Sequence, residues 1–181
     1  VGIVRGLAWT SVGGDTLQIE VNVMPGKGVL QMTGQMGDVM KESAQIALTY
    51  VRSVASDYGV KENYFEKHDI HLHIPEGAVP KDGPSAGITM ATAMLSAVTG
   101  RKVLPRVAMT GEITLRGHVL MIGGLKEKLL AARMAQVEKV LVPAKNQPDV
   151  EELSKEITKG MEIVYIKEMN EVIREAFVPE K

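Results

Sequence analysis

Alternation of apolar and polar residues dominates the first part of the chain. From Thr16 to Met24 the apolar side chains share one side and the polar ones the other, as in a half-buried strand. A similar stretch runs from Leu7 to Val12, and the turn Gly13-Gly14-Asp15 between the two predicts an antiparallel hairpin. A second turn at Pro25 to Gly28 leads into a short strand, Val29 to Thr33.

A helical period comes next. It begins with Gly37-Asp38 as the predicted cap and ends at Gly59, with apolar residues every three or four positions: Met40, Ala44, Ala47, Val51, Val54 and Tyr58. Lys61 to Lys67 is polar and predicts a loop or a helical turn. A further strand, Asp69 to Ile74, places His71 and His73 on one face.

The second half of the chain alternates between strands and helices. Short strands are predicted at Val107 to Met109 and His118 to Ile122. The tail reads strand, helix, strand, helix: Lys139 to Val142, Pro148 to Ile157, Glu162 to Ile166 and Asn170 to Phe177. Strands that are each followed by a helix favour a parallel pair. The expected fold is α+β, with mixed sheets from an N-terminal antiparallel hairpin region and a C-terminal βαβα region, in a single domain of residues 1–181.

A Gly/Pro loop opens the helix in the middle of the chain. Breakers at Pro80, Gly83 and Pro84 precede Ser85, and a helical apolar pattern starts at Ile88. Unpaired N–H groups at a helix N-terminus favour a developing alkoxide or a bound oxyanion. The simpler interpretation is that Ser85 only caps the helix.

Two lysines lie at the start of a later helix. Lys126 and Lys128 are about 200° apart around a helix, so they cannot both face the interior. The neighbours of Lys128 at helical spacing are small or apolar: Gly124, Leu125, Ala131, Ala132 and Ala135. Lys126 shares its side with Arg133, which indicates a more solvated direction. A buried Lys128 could lose its proton near neutral pH, whereas an ordinary lysine that reaches water would do no chemistry.

Composition excludes several classes of function. The 21 basic and 22 acidic residues nearly cancel, which does not suggest a nucleic-acid or membrane-surface partner. The absence of Cys excludes disulfides, thiol catalysis and thiolate zinc sites. No apolar run is long enough to span a bilayer, so we expect a cytoplasmic protein. A start at Val1 rather than Met suggests a piece of a longer chain.

Three motifs in a fixed order resemble the proteolytic domain of the Lon proteases, which use a Ser/Lys dyad. They are Pro80 to Gly87, Met109 to Gly117 and Gly123 to Ala132, and the likeness covers nearly the whole chain. The resemblance implies that Ser85 is the nucleophile and Lys128 its base. It also implies that Thr110 accepts a hydrogen bond from Lys128.

Other residues of the expected site have less specific signals. Backbone N–H groups near Gly83 and Ser85 are candidates for an oxyanion hole. Asp82 either shapes the loop, occludes Ser85 in a resting form or is a plain turn former. His71 is expected to line the site, because its strand leads to the serine loop. His71 and His73 have no Cys and no acidic motif beside them, so we expect no metal.

The resemblance also implies the setting in which such a domain works. Lon-type domains follow an ATPase module that unfolds polypeptides and feeds them into a ring, usually a hexamer. ATP and Mg²⁺ would then be used outside these residues, and this domain would need no cofactor. Two alternatives stay open: a non-catalytic phosphate or nucleotide binder, and a Ser/Lys amidase of small molecules. A structural subunit that has lost its dyad is a further alternative, but both reactive residues are present.

Overall fold

The computed structural model describes residues 1–10, 13–75 and 82–179, and for Trp9 and Thr10 the backbone alone. The start of the serine loop, residues 79–81, and the predicted strand end at Val12 lie outside the described residues. The strands are β1 (Ile3–Thr10), β2 (Gly13–Pro25), β3 (Leu30–Thr33), β4 (His68–His73), β5 (Val107–Met109), β6 (Glu112–Ile113), β7 (Val119–Leu120), β8 (Lys139–Pro143) and β9 (Glu162–Ile166). The helices are α1 (Asp38–Val54), α2 (Tyr64–Lys67), α3 (Gly87–Thr99), α4 (Leu125–Met134), α5 (Gln147–Glu151), α6 (Lys155–Thr158) and α7 (Met169–Ala176).

Seven strands of the described residues form one mixed sheet, in the order β3-β4-β2-β1-β5-β8-β9. The predicted hairpin is antiparallel, with Gly6 opposite Leu17, and β4 continues the antiparallel pairing on its other side. Parallel pairs join β3 to β4, β1 to β5, β5 to β8 and β8 to β9. The predicted α+β class is confirmed, and the antiparallel and parallel regions belong to one continuous sheet.

The two faces of this sheet are covered unequally. One face packs against α1, α3 and α7 through buried apolar residues such as Val4, Ile19, Leu72, Met109 and Leu141. The other face packs against α4, α5 and α6 along β1, β5, β8 and β9, through residues such as Leu7, Ala108, Val140, Val142, Leu125 and Leu129, and α4 also lies against the start of β2 at Gly14. Over β2, β3 and β4 this second face instead carries polar side chains: Gln18, Glu20, Asn22, Thr33, His71 and His73.

The long amphipathic helix is present as predicted. α1 continues into a 3-10 turn, Ala55–Tyr58, and the chain ends its helical course at Gly59, whose φ is 82°. Met40, Ala44, Ala47 and Val51 are buried on its inner side. The period of the apolar residues was therefore sufficient to locate this element and its inner face.

The helix predicted from Pro148 to Ile157 is wrong as a single element. The chain forms α5, leaves the helical conformation, and restarts as α6. Ser154 causes the restart, because its extended backbone and its hydroxyl, which accepts from the Glu156 N–H at 3.3 Å, make it the cap of a new helix. The predicted strand at His118 to Ile122 is also shorter, since β7 pairs with β6 and His118 forms an isolated bridge with Glu168. Among the helices of the described residues, none has both the length and the apolar character needed to cross a bilayer.

Candidate functional site

The carboxyl end of β5, in the middle of the sheet, is where the predicted site residues meet. Thr110 follows β5 directly and is fully buried, and its N–H donates to the Leu141 carbonyl of β8 at 3.1 Å. The carboxyl ends of neighbouring parallel strands lie at the same edge of a sheet, where loops converge and sites commonly form. Thr110 is thus held on a rigid element rather than on a loop.

Lys128 reaches this point from the second face of the sheet. α4 packs on that face through Leu125, Leu129 and Ala132, and the same burial carries Lys128 inward, leaving it 3% exposed. Its Nζ donates a hydrogen bond to the Thr110 Oγ1 at 3.2 Å. Lys126 is exposed, so the predicted division between one inward and one outward lysine is observed.

The surroundings of Lys128 favour its neutral form. Burial lowers the pKa of Lys128 from 10.5 to about 8. In the described part of the chain no carboxylate pairs with this amine, so nothing there compensates the loss of water around the charge. With a pKa of about 8, roughly one amine in ten is neutral at pH 7. A lysine in this state can act as a general base.

Ser85 approaches the same strand end from the opposite face. It is half-buried and lies two residues before α3, whose N-cap is Ala86 and has no side-chain cap. The interpretation of Ser85 as a helix-capping serine is therefore wrong. Its hydroxyl is left available for another role.

Gly111 links the serine loop to the end of β5, next to Thr110, which binds the Lys128 amine. Its N–H donates to the Ser85 carbonyl at 2.8 Å, and its own carbonyl accepts from the Ile88 N–H at 3.1 Å. Since Gly111 follows Thr110, two adjacent residues hold the serine backbone and the lysine amine. In the described residues no hydrogen bond joins the Ser85 hydroxyl directly to the Lys128 amine.

Sequence reasoning did not single out Gly111, although the residue type was a signal. A Cβ at this position would lie 2.8 Å from Val119 Cγ1 and 3.0 Å from Ile88 Cδ1. Both distances are shorter than ordinary side-chain contacts. Only glycine lets the strand end approach α3 this closely.

Asp82 holds the serine loop from its other side. Its Oδ1 accepts from the Met40 N–H in the first turn of α1 at 2.9 Å, and bonds from Met40, Gly83 and Val39 N–H groups lower the pKa of its carboxyl. The predicted cap at Gly37-Asp38 is confirmed, since Gly37 is the N-cap of α1, but Gly37 provides no side-chain acceptor. The carboxylate comes instead from a residue 42 positions further along. Gly83, with φ of 110°, makes the turn that follows.

His71 lies on the polar part of the second face. Its Nε2 is 2.9 Å from Thr33 Oγ1, and Nδ1 of His73 is 2.6 Å from the same oxygen. One hydroxyl thus holds both rings. No hydrogen bond in the described residues connects His71 with Ser85, Thr110 or Lys128, and its place in the site stays a prediction. Among the described residues no three His, Asp or Glu side chains cluster closely enough to hold a metal.

The turn from Pro25 to Gly28 contains a lysine between two glycines, as some phosphate-binding loops do, but its backbone N–H groups are not open to a phosphate. The Asp69 Oδ1 accepts from the N–H groups of Lys27, Gly28 and Val29 at 2.8 to 3.0 Å, and these bonds lower the pKa of its carboxyl. The N–H groups that would cradle a phosphate are already occupied by a carboxylate. The interpretation of this loop as a turn agrees with that geometry.

Comparison with known proteins gives the family. The family profile described as the Lon protease (S16) C-terminal proteolytic domain matches residues 1–179. The chain belongs to this family. The Lon protease of Lachnoclostridium phytofermentans is 69% identical over 178 residues, which are 98% of this chain and 22% of that protein. Lon protease 1 of Bacillus subtilis is 56% identical over 181 residues, 100% of this chain and 23% of that protein.

Membership of the Lon family makes this a serine-peptidase domain. A third relative, the Lon protease of Heliobacterium modesticaldum, is 58% identical over 178 residues, covering 98% of this chain and 22% of its own length. The chain thus spans less than a quarter of the length of these curated relatives. The resemblance inferred from the three motifs is confirmed, whereas the roles of individual residues stay predictions.

The Asp82 tether can be tested at the helix it caps. Replacing Asp82 by Ala removes the acceptor for the Met40 N–H, so we expect hydrogen exchange of that amide to become at least several-fold faster. Asp38→Ala is the matched control, since Asp38 lies in the same first turn but makes no cap. Equal exchange rates at Met40 in the two variants would contradict the assignment of Asp82 as the cap.

The cost of burying Lys128 predicts a specific dependence of stability on pH. The pKa of Lys128 is lower in the folded protein, so between about pH 8 and 10.5 the unfolded state binds more protons and the free energy of unfolding rises with pH. Lys128→Met should lack this rise and should be more stable at pH 7, by up to ~3 kcal/mol. Urea unfolding of both proteins at pH 7 and pH 10 measures the difference. Parallel pH dependences would show that the amine is not destabilised by burial.

Proposed function

We propose that Ser85 and Lys128 are the catalytic dyad of this domain, which hydrolyses peptide bonds through an acyl-enzyme. The observation that carries the proposal is the buried Lys128 amine, bonded to Thr110, at the strand end whose next residue holds Ser85. Membership of a serine-peptidase family supports it independently.

The proposed steps use one amine as base and then as acid. Neutral Lys128 accepts the Ser85 hydroxyl proton while the Ser85 Oγ forms a bond to the peptide carbonyl carbon, and the π electrons of the C=O bond move to its oxygen as an oxyanion. The C–N bond then breaks, and the Lys128 ammonium returns a proton to the leaving amine. Neutral Lys128 then takes a proton from water, whose oxygen attacks the ester carbon. The ester C–O bond breaks, and the Lys128 ammonium returns the proton to the Ser85 Oγ, which releases the acid product and the free Ser85.

The surroundings of the dyad have supporting roles in this scheme. Thr110 orients the lysine, because a buried hydroxyl fixed on β5 limits where the amine can point. We assign the Ser85 N–H, at the approach to α3, to the site of the developing oxyanion, whereas the Gly83 N–H, also expected there, already donates to the Asp82 carboxylate. Asp82 keeps the turn before Ser85 attached to α1. We assign His71 to the wall of the site, on the polar part of the sheet.

The complete protein that contains this domain is proposed to be an ATP-dependent protease of unfolded or damaged polypeptides. The relatives named Lon protease are more than four times as long as this chain, which leaves room for an ATPase module. ATP and Mg²⁺ would act in that module and not here. We further propose a cytoplasmic hexameric ring, in which the peptidase sites face an enclosed space.

Binding of a phosphate group at the N-terminus of α3 is the competing function. A helix N-terminus can hold an anion, but the Gly87 and Ile88 N–H groups of this helix already donate to the Pro84 and Gly111 carbonyls. A phosphate binder would gain from a stably charged amine, whereas burial disfavours the charged form of Lys128. The lowered pKa of Lys128 therefore favours hydrolysis over anion binding.

Two arginine variants separate the proposed base from its neighbour. Arg keeps the positive charge but does not become a neutral base, so Lys128→Arg should lower peptide hydrolysis by ~10²-fold or more. Lys126→Arg, the matched control on the exposed side, should stay within about twofold of the wild type. Initial rates on a fluorogenic peptide give the comparison. Equal losses in both variants, or in neither, would refute the assignment of Lys128.

Covalent labelling tests the proposed nucleophile. A peptidyl phosphonate should modify Ser85, as found by mass spectrometry of the digested protein, and the labelling rate should fall ~10²-fold in Lys128→Arg. Ser85→Ala should abolish labelling and hydrolysis together. Hydrolysis that survives in Ser85→Ala would contradict the proposal.

A further inference from the structure

A buried asparagine clamps the segment that leads into the lysine helix. Asn146 is fully buried in the 3-10 turn Ala144–Asn146, between β8 and α5. Its Oδ1 accepts from the Ile122 N–H at 2.9 Å, and its Nδ2 donates to the Ile122 carbonyl at 2.9 Å. One side chain therefore satisfies both backbone groups of a residue 24 positions away, as a neighbouring strand would.

Asp149 fixes the orientation of this clamp. Its Oδ2 accepts the remaining Nδ2 hydrogen of Asn146 at 2.8 Å. All strong donors of the asparagine amide are then used, and the amide cannot turn over without setting its oxygen against two acceptors. A buried amide with every donor satisfied specifies one geometry and would be costly to remove.

The clamp acts next to two successive glycines. Gly123 and Gly124 separate Ile122 from α4, and Gly124 is the N-cap of α4 with φ of 70° and no side-chain cap. Two successive glycines leave the direction of the chain poorly determined by local geometry. The first turn of α4 closes when the Lys128 N–H donates to the Gly124 carbonyl at 3.0 Å. On the N-terminal side of the two glycines, the chain is fixed at Ile122 by Asn146.

The depth of Lys128 depends on where α4 begins. A helix advances about 1.5 Å per residue, so a small shift of the Gly123-Gly124 segment moves the amine by a comparable distance. Outward movement would give the amine water and lengthen its bond to Thr110, which is now 3.2 Å. A displacement of about 1 Å at a catalytic group is enough to reduce activity strongly.

We propose that Asn146 is a positioning residue for the peptidase reaction, which seats the first turn of α4 so that the Lys128 amine stays buried against Thr110. This inference rests on the proposed role of Lys128 as base. It adds a residue outside the three motifs, in a different loop, with no contact to the reacting atoms.

The test compares the pH dependence of peptide hydrolysis in the natural chain that contains this domain. Asn146→Ala should move the acid limb of kcat/KM to higher pH, because a more hydrated lysine needs a higher pH to become neutral. A rise of one unit lowers the rate ~10-fold at pH 7 and restores it near pH 10. Gln147→Ala, which removes a neighbouring exposed amide, should leave the limb unchanged.

A second control separates positioning from general loss of stability. Ile173→Ala opens a cavity in the core between α7 and the sheet, on the face opposite α4. It should lower the melting temperature without moving the acid limb of kcat/KM. If Asn146→Ala behaves in the same way, with equal loss at every pH, the proposal is wrong. Asn146→Asp combined with Asp149→Asn keeps an acceptor for the Ile122 N–H, so its limb should lie between those of the wild type and Asn146→Ala. A limb identical to that of the wild type in this double variant would also count against the clamp.

Titration of the Lys128 amine by nuclear magnetic resonance gives a readout that does not need hydrolysis. The midpoint should rise in Asn146→Ala relative to the wild type. Absence of hydrolysis in the wild type would refute the proposed function, whereas an unchanged Lys128 midpoint in Asn146→Ala would refute the role of Asn146. The two failures are therefore distinguishable.

Discussion

The burial of one amine is the constraint on which the account of this protein depends. Lys128 is 3% exposed, its bonded partner is a neutral hydroxyl, and no carboxylate of the described residues pairs with it. Such a lysine lowers the stability of the fold when it is charged, so its presence in the interior needs a reason. General-base chemistry near neutral pH is a reason that fits both the environment and the family.

The sheet provides the means by which this amine and Ser85 meet. α3 and α4 lie on opposite faces, so the serine and the lysine can approach one another only at the end of a strand between them. Thr110 and Gly111 occupy that end, and each binds one of the two helical segments. Asp82 and Asn146 then fix the outer sides of the two segments against α1 and the β8–α5 turn. The site is held from both faces by hydrogen bonds to residues distant in sequence.

Local patterns in the sequence were enough to locate the helices and strands, but not to predict the hydrogen bonds that hold the site together. The periods of two and of three to four residues located β2, α1 and the β8–β9 pair, because each element buries one regular face. The inward direction of Lys128 followed from its small neighbours in the same way. The cap from Asp82 joins residues 42 positions apart, the clamp by Asn146 joins residues 24 apart, and the tie through Gly111 bridges two separate motifs, so no local period encodes these contacts. The break between α5 and α6 did have a local signal in Ser154, which the apolar period masked.

The most direct test of the central claim is the protonation equilibrium of Lys128 itself. Selective isotope labelling of lysine, with Lys128→Met to assign the signal, would allow the amine to be titrated in the folded protein by nuclear magnetic resonance. The account predicts a midpoint of about 8, well below the ordinary lysine value. A midpoint near 10.5 would mean that the amine is charged and hydrated at neutral pH, and the assignment of Lys128 as the base would be contradicted.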